Sequence, residues 1–362
     1  MRQPLTAGVC WTLLFMHPTL LHASAGAHGD VSLAVRHLLC SSDVDTFEGV
    51  PDYTGRNGVG GLFSQLNYLA QEVLERLYKR QRPSASFHDN TLLHGYGSSS
   101  LSKYFHALPC STHGIGVATA DALATIERSP RHLVVSHLLH ALYRPRLDVD
   151  GIKQTMTSSI GRGGIDLALH VRRGDKLTEF RAVDKIKIWD EDMIVEEVRR
   201  RLGRDGSTVL IASDDDAFTK MVCARLQSLG YNALRQGNEN QRFDGKNHSV
   251  EAAQVCDGTC VPPLLSLVRL FSRAKFLAIS SRSNIGSFLL SWWSAANGDA
   301  IPSFVDLDNG ITPDTLASQG RYFCSLPWGS RRGLCRGKQM MCDLPHLASR
   351  SFCGGANVKM SG

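Results

Sequence analysis

The chain reads as an α/β protein, with an open, mostly parallel sheet in its C-terminal half and a smaller α/β half ahead of it. Three observations predict this. From residue 165 to about 310, short apolar runs of strand length alternate with amphipathic helical stretches. Strand–helix–strand succession at that spacing implies right-handed crossovers between parallel neighbours. A stretch rich in Ser, Thr and Gly at 155–164 separates this region from a helical one before it. With 43% hydrophobic and 20% charged residues over 362 positions, there is ample material for a packed core. The same figures exclude a largely disordered chain, and 33 glycines without a three-residue period exclude collagen.

Residues 1–27 carry the three parts of a secretory signal peptide: Arg2, an apolar stretch from Ala7 to Met16, and small residues from Ala23 to Ala27. His17 and Pro18 interrupt the apolar run, which is short for a membrane span, although an uncleaved anchor is the other reading. Residues 28–160 form the expected N-terminal domain. A glycine-rich loop, Gly55 to Gly61, leads into a helix on which Leu62, Leu66, Leu69, Val73 and Leu77 share one side. Gln65, Gln71, Glu72 and Glu75 are placed on the other, and the helix stops in the basic run 79–82 before Pro83. Residues 84–115 read as loop, and 117–143 as helical.

Residues 161–310 form the expected ligand-binding domain. Ile165–Val171 is a strand, 191–202 a helix, and Val209–Ala212 a second strand. A helix from Asp216 to Leu229 closes on Gly230. A weaker strand near 232–236, a helix through Leu264, Val268 and Phe271, and the strand Phe276–Ile279 follow. A helix through Phe288 to Ala296 and a strand around 304–307 complete the alternation. Residues 311–362 are a Cys-rich tail.

Ten cysteines suit an oxidising lumen. Without Cys10 of the signal nine remain, so at least one thiol is free or pairs elsewhere. Cys256 and Cys260, and Cys324, Cys335, Cys342 and Cys353 of the tail, read as disulfide material, with a zinc site as the other reading of the tail. Asn247 opens a glycosylation sequon. The expected location is the secretory pathway, in the Golgi or ER lumen, or outside the cell. Lys plus Arg exceeds Asp plus Glu by 40 − 34 = 6. This mild excess suits an anionic ligand and argues against nucleic acid.

In open parallel sheets ligands bind at the carboxyl ends of the strands, which selects three motifs. The first strand ends in His170, Val171, Arg172, Arg173, Gly174, Asp175 and Lys176. Guanidinium forks suit diphosphate oxygens, and Asp175 can hold one fork while the other meets the ligand. A solvated basic strand end, or an adhesive Arg-Gly-Asp tripeptide at 173–175, are other readings. The second strand ends in Ser213, Asp214, Asp215 and Asp216, which read as helix caps, as ribose or base contacts, or as a metal-binding D-x-D. The third ends in Ser280–Gly286 at the start of a helix, a phosphate site or an ordinary serine cap.

These residues together resemble a known group. The heptapeptide H-V-R-R-G-D-K resembles the H-x-R-R-x-D peptide of the GDP-fucose-dependent fucosyltransferases, and is most similar to the α1,6-linking type. Ala212–Asp215, Phe271–Phe276 and Ser280–Asn284 follow with similar order and spacing, and Gly60–Asn67 more loosely resembles the group's N-terminal G-G-x-x-x-Q-L. The resemblance spans roughly residues 165–310.

It implies a GT-B-like fold with a Rossmann-type sheet, and a metal-independent, inverting transfer from GDP-fucose to a glycan or glycoprotein, without a cofactor. Arg172, Lys176 and Glu179 are the implied catalytic residues. His170, Arg172, Arg173, Asp175, Asp214, Asp215, Ser283 and Asn284 are the implied donor-binding set. Glu179 stands one position earlier than the acid of the family. Transfer from another nucleotide sugar, and a binding protein that keeps the sheet without catalysis, stay open.

Overall fold

The structure is a computed structural model. It describes residues 25–47, 61–93, 99–108, 110, 118–129, 131–146, 164–173, 189–203, 206–236, 261–280, 283–298 and 303–308. The loop at 55–60, Gly174–Lys176, Glu179, the sequon, Cys256, Cys260 and the tail cysteines lie outside the described residues.

The C-terminal half follows the expected alternation. Strand β5 (Ile165–Val171) is followed by α6 (Glu191–Leu202), β6 (Thr208–Ser213), α7 (Asp216–Ser228) and β7 (Asn232–Gln236). Then come α8 (Val261–Phe271), β8 (Ala274–Ile279), α9 (Asn284–Ala296) and β9 (Phe304–Asp306). Local chemistry sets the helix ends. Asp190 caps α6 by accepting from Met193 N at 2.9 Å, three arginines occupy its last turn, and Gly203 leaves it at φ +57°. Gly230 performs the same exit after α7 at φ +86°.

All five strands are parallel, in the spatial order β7-β6-β5-β8-β9. Numbered from β5, this is 3-2-1-4-5. The chain winds outward one way from β5 to β7, then crosses back to β8 and winds the other way. In open parallel sheets such a reversal is where a ligand crevice forms, here between the carboxyl ends of β5 and β8.

Each face of the sheet is covered. Leu167, Leu169, Val171, Val209 and Ile211 pack with Ile194 and Val198 of α6 and with Phe218, Val222 and Leu226 of α7. The alternate residues Ala168, Leu210, Ala212, Leu277 and Ile279 face α8 and α9. This second cluster continues beyond the sheet. Helix α9 is apolar or small on all sides and buried from Ile285 to Ser294, as a helix between two layers must be. Phe288 stacks on Trp292 within α9 and lies edge-on to Phe63 across the layer boundary.

The outer layer is the N-terminal half: α1 (Ala25–Cys40), β1 (Asp45–Phe47), α2 (Leu62–Tyr78), β2 (Gln81–Pro83), α3 (Phe87–Asn90), β3 (Leu92–Leu93), β4 (Ser99–Ser100), α4 (Thr119–Arg128) and α5 (Arg131–Leu142). Several expectations change here. The basic run after α2 turns at Arg80, φ +57°, and becomes a short strand parallel to β1. Residues 84–115 are not all loop: α3, β3, β4 and a 3-10 turn bury Phe87, Leu93, Leu101, Tyr104 and Phe105. The helical stretch 117–143 is two helices, with Pro130 of the sequence between them. Gln65 is 2% exposed, on the packed side of α2 rather than the solvated one.

Cys40 at the end of α1 is bonded to Cys110, closing a separation of 70 residues. Cys223 is a buried free thiol. Among the described residues no helix is long and apolar enough to cross a membrane.

Candidate functional site

The crevice between β5 and β8 is built from the ends of three strands. In the parallel register His170 stands beside Ala212 of β6 and beside Ile279 of β8. Continuing the β5–β6 register by two residues sets Arg172 beside Asp214 and Arg173 beside Asp215. Because side chains alternate between faces, the two pairs point to opposite sides of the sheet. The α9 side receives His170, Arg172 and Asp214; the α7 side receives Arg173 and Asp215.

The hydrogen bonds follow this division. Arg172 Nη1 meets Asp214 Oδ2 at 3.2 Å, with both side chains about one-fifth exposed. Asp214 Oδ1 accepts from the backbone N of Arg173 at 2.8 Å, so one carboxylate holds both the peptide and the first guanidinium. Ser280 Oγ accepts from the backbone N of Arg172 at 3.2 Å, tying the end of β5 to the end of β8. The role expected of Asp175, steadying a guanidinium, is filled among the described residues by Asp214 and Asp215.

Arg173 is held on the other side. Its Nε lies 3.4 Å from Asp215 Oδ2, its Nη1 donates to the carbonyl of Trp189, and its Cζ sits 4.1 Å from the centre of the Phe218 ring. Trp189 in turn donates from Nε1 to the carbonyl of Leu307. Asp215 also caps α7, accepting from Phe218 N at 2.9 Å. Asp216 pairs with Lys220 at 2.7 Å and Arg235 at 3.0 Å. Every carboxylate of the acidic run therefore faces a cation from the protein itself.

The third wall is the start of α9. Ser283 occupies the N-cap with extended backbone, 4% exposed, but its side chain makes no capping bond. The first-turn N–H groups from Asn284 onward have no acceptor within the helix and carry its positive end. Gly286 brings this turn onto the strand: a Cβ there would lie 2.1 Å from the carbonyl oxygen of Ser280 and 3.7 Å from His170 Nδ1. Only glycine allows so close an approach. Gly286→Ala is expected to lower stability by about 1–3 kcal/mol through overpacking against backbone that cannot swing aside. An unchanged melting temperature would show that the turn can step away from Ser280.

His170 is 4% exposed, and its Nδ1 has no hydrogen-bond partner among the described residues. Its pKa is lowered to about 4, first by burial and also by Arg172, against the opposing pull of Asp214. It is a neutral imidazole at pH 7.

The structure thus brings His170, Arg172, Asp214, Ser283 and Asn284 to one crevice and sets Arg173 and Asp215 on the opposite side of the strand ends. Lys176, Asp175 and Glu179 lie outside the described residues. Two contributors lie within motifs singled out from the sequence but were given no role of their own there. Ser280 links the strands, and Asn67 of α2 donates from Nδ2 to the carbonyl of Asn284 at 2.9 Å. Asn67 had a legible signal: with Phe63, Ala70 and Leu74 it keeps helical spacing on a buried face, where an amide is out of place.

No family model and no curated protein matches the chain. A solved structure of a mutant Arabidopsis thaliana FUT1 in complex with GDP is similar over 79% of this chain and 77% of that one, with 11% identity and a TM-score of 0.41. Similarity of that extent carries no ligand or activity across.

Proposed function

We propose that the chain is a glycosyltransferase of GT-B-like design that transfers fucose, with inversion and without a metal ion, from GDP-fucose to a glycan or glycoprotein. The observation that carries this reading is the reversal of strand order between β5 and β8. There Arg172 at the end of β5 and the start of α9 lie on the same side of the sheet, joined through Ser280, at the place where such sheets hold a nucleotide. The departing nucleoside diphosphate gains negative charge as the sugar leaves. A guanidinium already fixed by Asp214, together with the N–H groups of a helix start, stabilises that charge without reorganising.

The fucose donor is supported by the H-V-R-R-x-D-K resemblance at residues 170–176. The domain limits at 160 and 310 remain part of the proposal, with the N-terminal helical layer on the acceptor side. Lys176 and Glu179 keep their proposed catalytic roles, Glu179 as the general base whose carboxylate takes the acceptor proton. The disulfide between Cys40 and Cys110 supports residence in the secretory pathway.

Two measurements test the reading. Incubation with a panel of nucleotide sugars should show hydrolysis or transfer with GDP-fucose. Turnover of a different nucleotide sugar would move the donor, and none with any would leave a binding protein. EDTA is expected to leave the activity largely intact, because Asp214, Asp215 and Asp216 already face Arg172, Arg173, Lys220 and Arg235. Activity abolished by EDTA and restored by Mn²⁺ would return the acidic run to metal binding.

A further inference from the structure

We propose that Asn67 is a positioning residue for the start of α9, so that a side chain of the N-terminal helical layer sets the phosphate-receiving end of the crevice. This rests on the reading of that end as the diphosphate site. Asn67 is wholly buried, and its Nδ2 donates to the carbonyl of Asn284, which also accepts from Ser287 Oγ at 3.2 Å. Its Oδ1 is buried with no hydrogen-bond partner among the described residues.

A half-satisfied amide in an apolar layer is costly, and the flanking Phe63, Leu66, Ala70 and Leu74 show that the layer accepts apolar side chains. Its contribution lies in orientation. The carbonyl of Asn284 and the N–H of Ile285 belong to one planar peptide and point in opposite directions. Fixing the carbonyl from α2 therefore fixes the direction in which the Ile285 N–H leaves the helix start. Gly286 fixes the same turn from the sheet side through its approach to Ser280. Asn67 and Ser280 hold the first turn of α9 from two layers.

The test is Asn67→Leu in the full chain, a side chain of the same branching without the donor. Affinity for inorganic pyrophosphate and for GDP is measured by calorimetry, with melting temperature and amide hydrogen exchange across residues 284–287. The expected result is an unchanged or raised melting temperature, because the orphan oxygen is gone. Affinity for both probes should fall at least tenfold, with faster exchange at the start of α9. A residue that only fills space would do the reverse. Wild-type affinity and exchange in the variant would overturn the positioning role alone. A wild-type chain that binds neither pyrophosphate nor GDP would overturn the diphosphate reading and this role with it. Asn67→Ala, judged by the same measures, replaces the variant if leucine prevents folding.

Discussion

Arg172→Ala is expected to reduce transfer by about 10²–10³, corresponding to about 3–4 kcal/mol of lost transition-state stabilisation. The size follows from its place. The Arg172 guanidinium stands at the strand-order reversal, on the α9 side, fixed by Asp214, with its side chain about one-fifth exposed. Arg172→Lys should recover little, since an ammonium offers a point charge where a fork met two oxygens. Arg173 supplies the internal control. Its side chain is about as exposed, but its guanidinium lies on the α7 side, held by Asp215, the Trp189 carbonyl and the Phe218 ring, so Arg173→Ala should act mainly through stability. Steady-state rates and melting curves for the three variants separate these effects. Near-normal turnover in Arg172→Ala would remove this peptide from the donor site.

That contrast between adjacent arginines shows what was legible in the sequence. Strand β5 and helix α6 occupy the expected residues because each is bounded by strong local signals, the second by Asp190 and Gly203. Helix α9 starts at Asn284, inside the 280–286 stretch read as a helix start, although Gly286 and Ser287 carry no periodic apolar signal of their own. The short strands β1 and β2, three residues each, are too brief for any alternation to register and exist through pairing with each other. The motifs at 170, 213 and 280 were legible as strand ends. Their division between two faces depends on the β5–β6 register, a long-range property. Asn67 needed the same kind of knowledge, since its partner is 217 residues away.

Acidification is expected to destabilise the fold by about 3 kcal/mol through His170 alone, mostly between pH 6.5 and 4. The folded state holds this imidazole neutral, with a pKa of about 4, because it is buried between β5 and the start of α9. In the unfolded chain it titrates near 6.5. Below 6.5 the unfolded state therefore binds more protons than the folded one, and stability falls with pH until the folded imidazole also protonates. Each unit between the two pKa values is worth about 1.4 kcal/mol, which gives the stated size. His88 and His140 are also lowered, chiefly by burial, and add in the same direction. The check is urea unfolding at pH 7 and pH 4.5 for wild type and His170→Gln, a neutral side chain of similar reach. The variant should lose less stability on acidification than the wild type. Equal losses would place the acid sensitivity elsewhere and would mean that the His170 imidazole is protonated or solvated in the folded state.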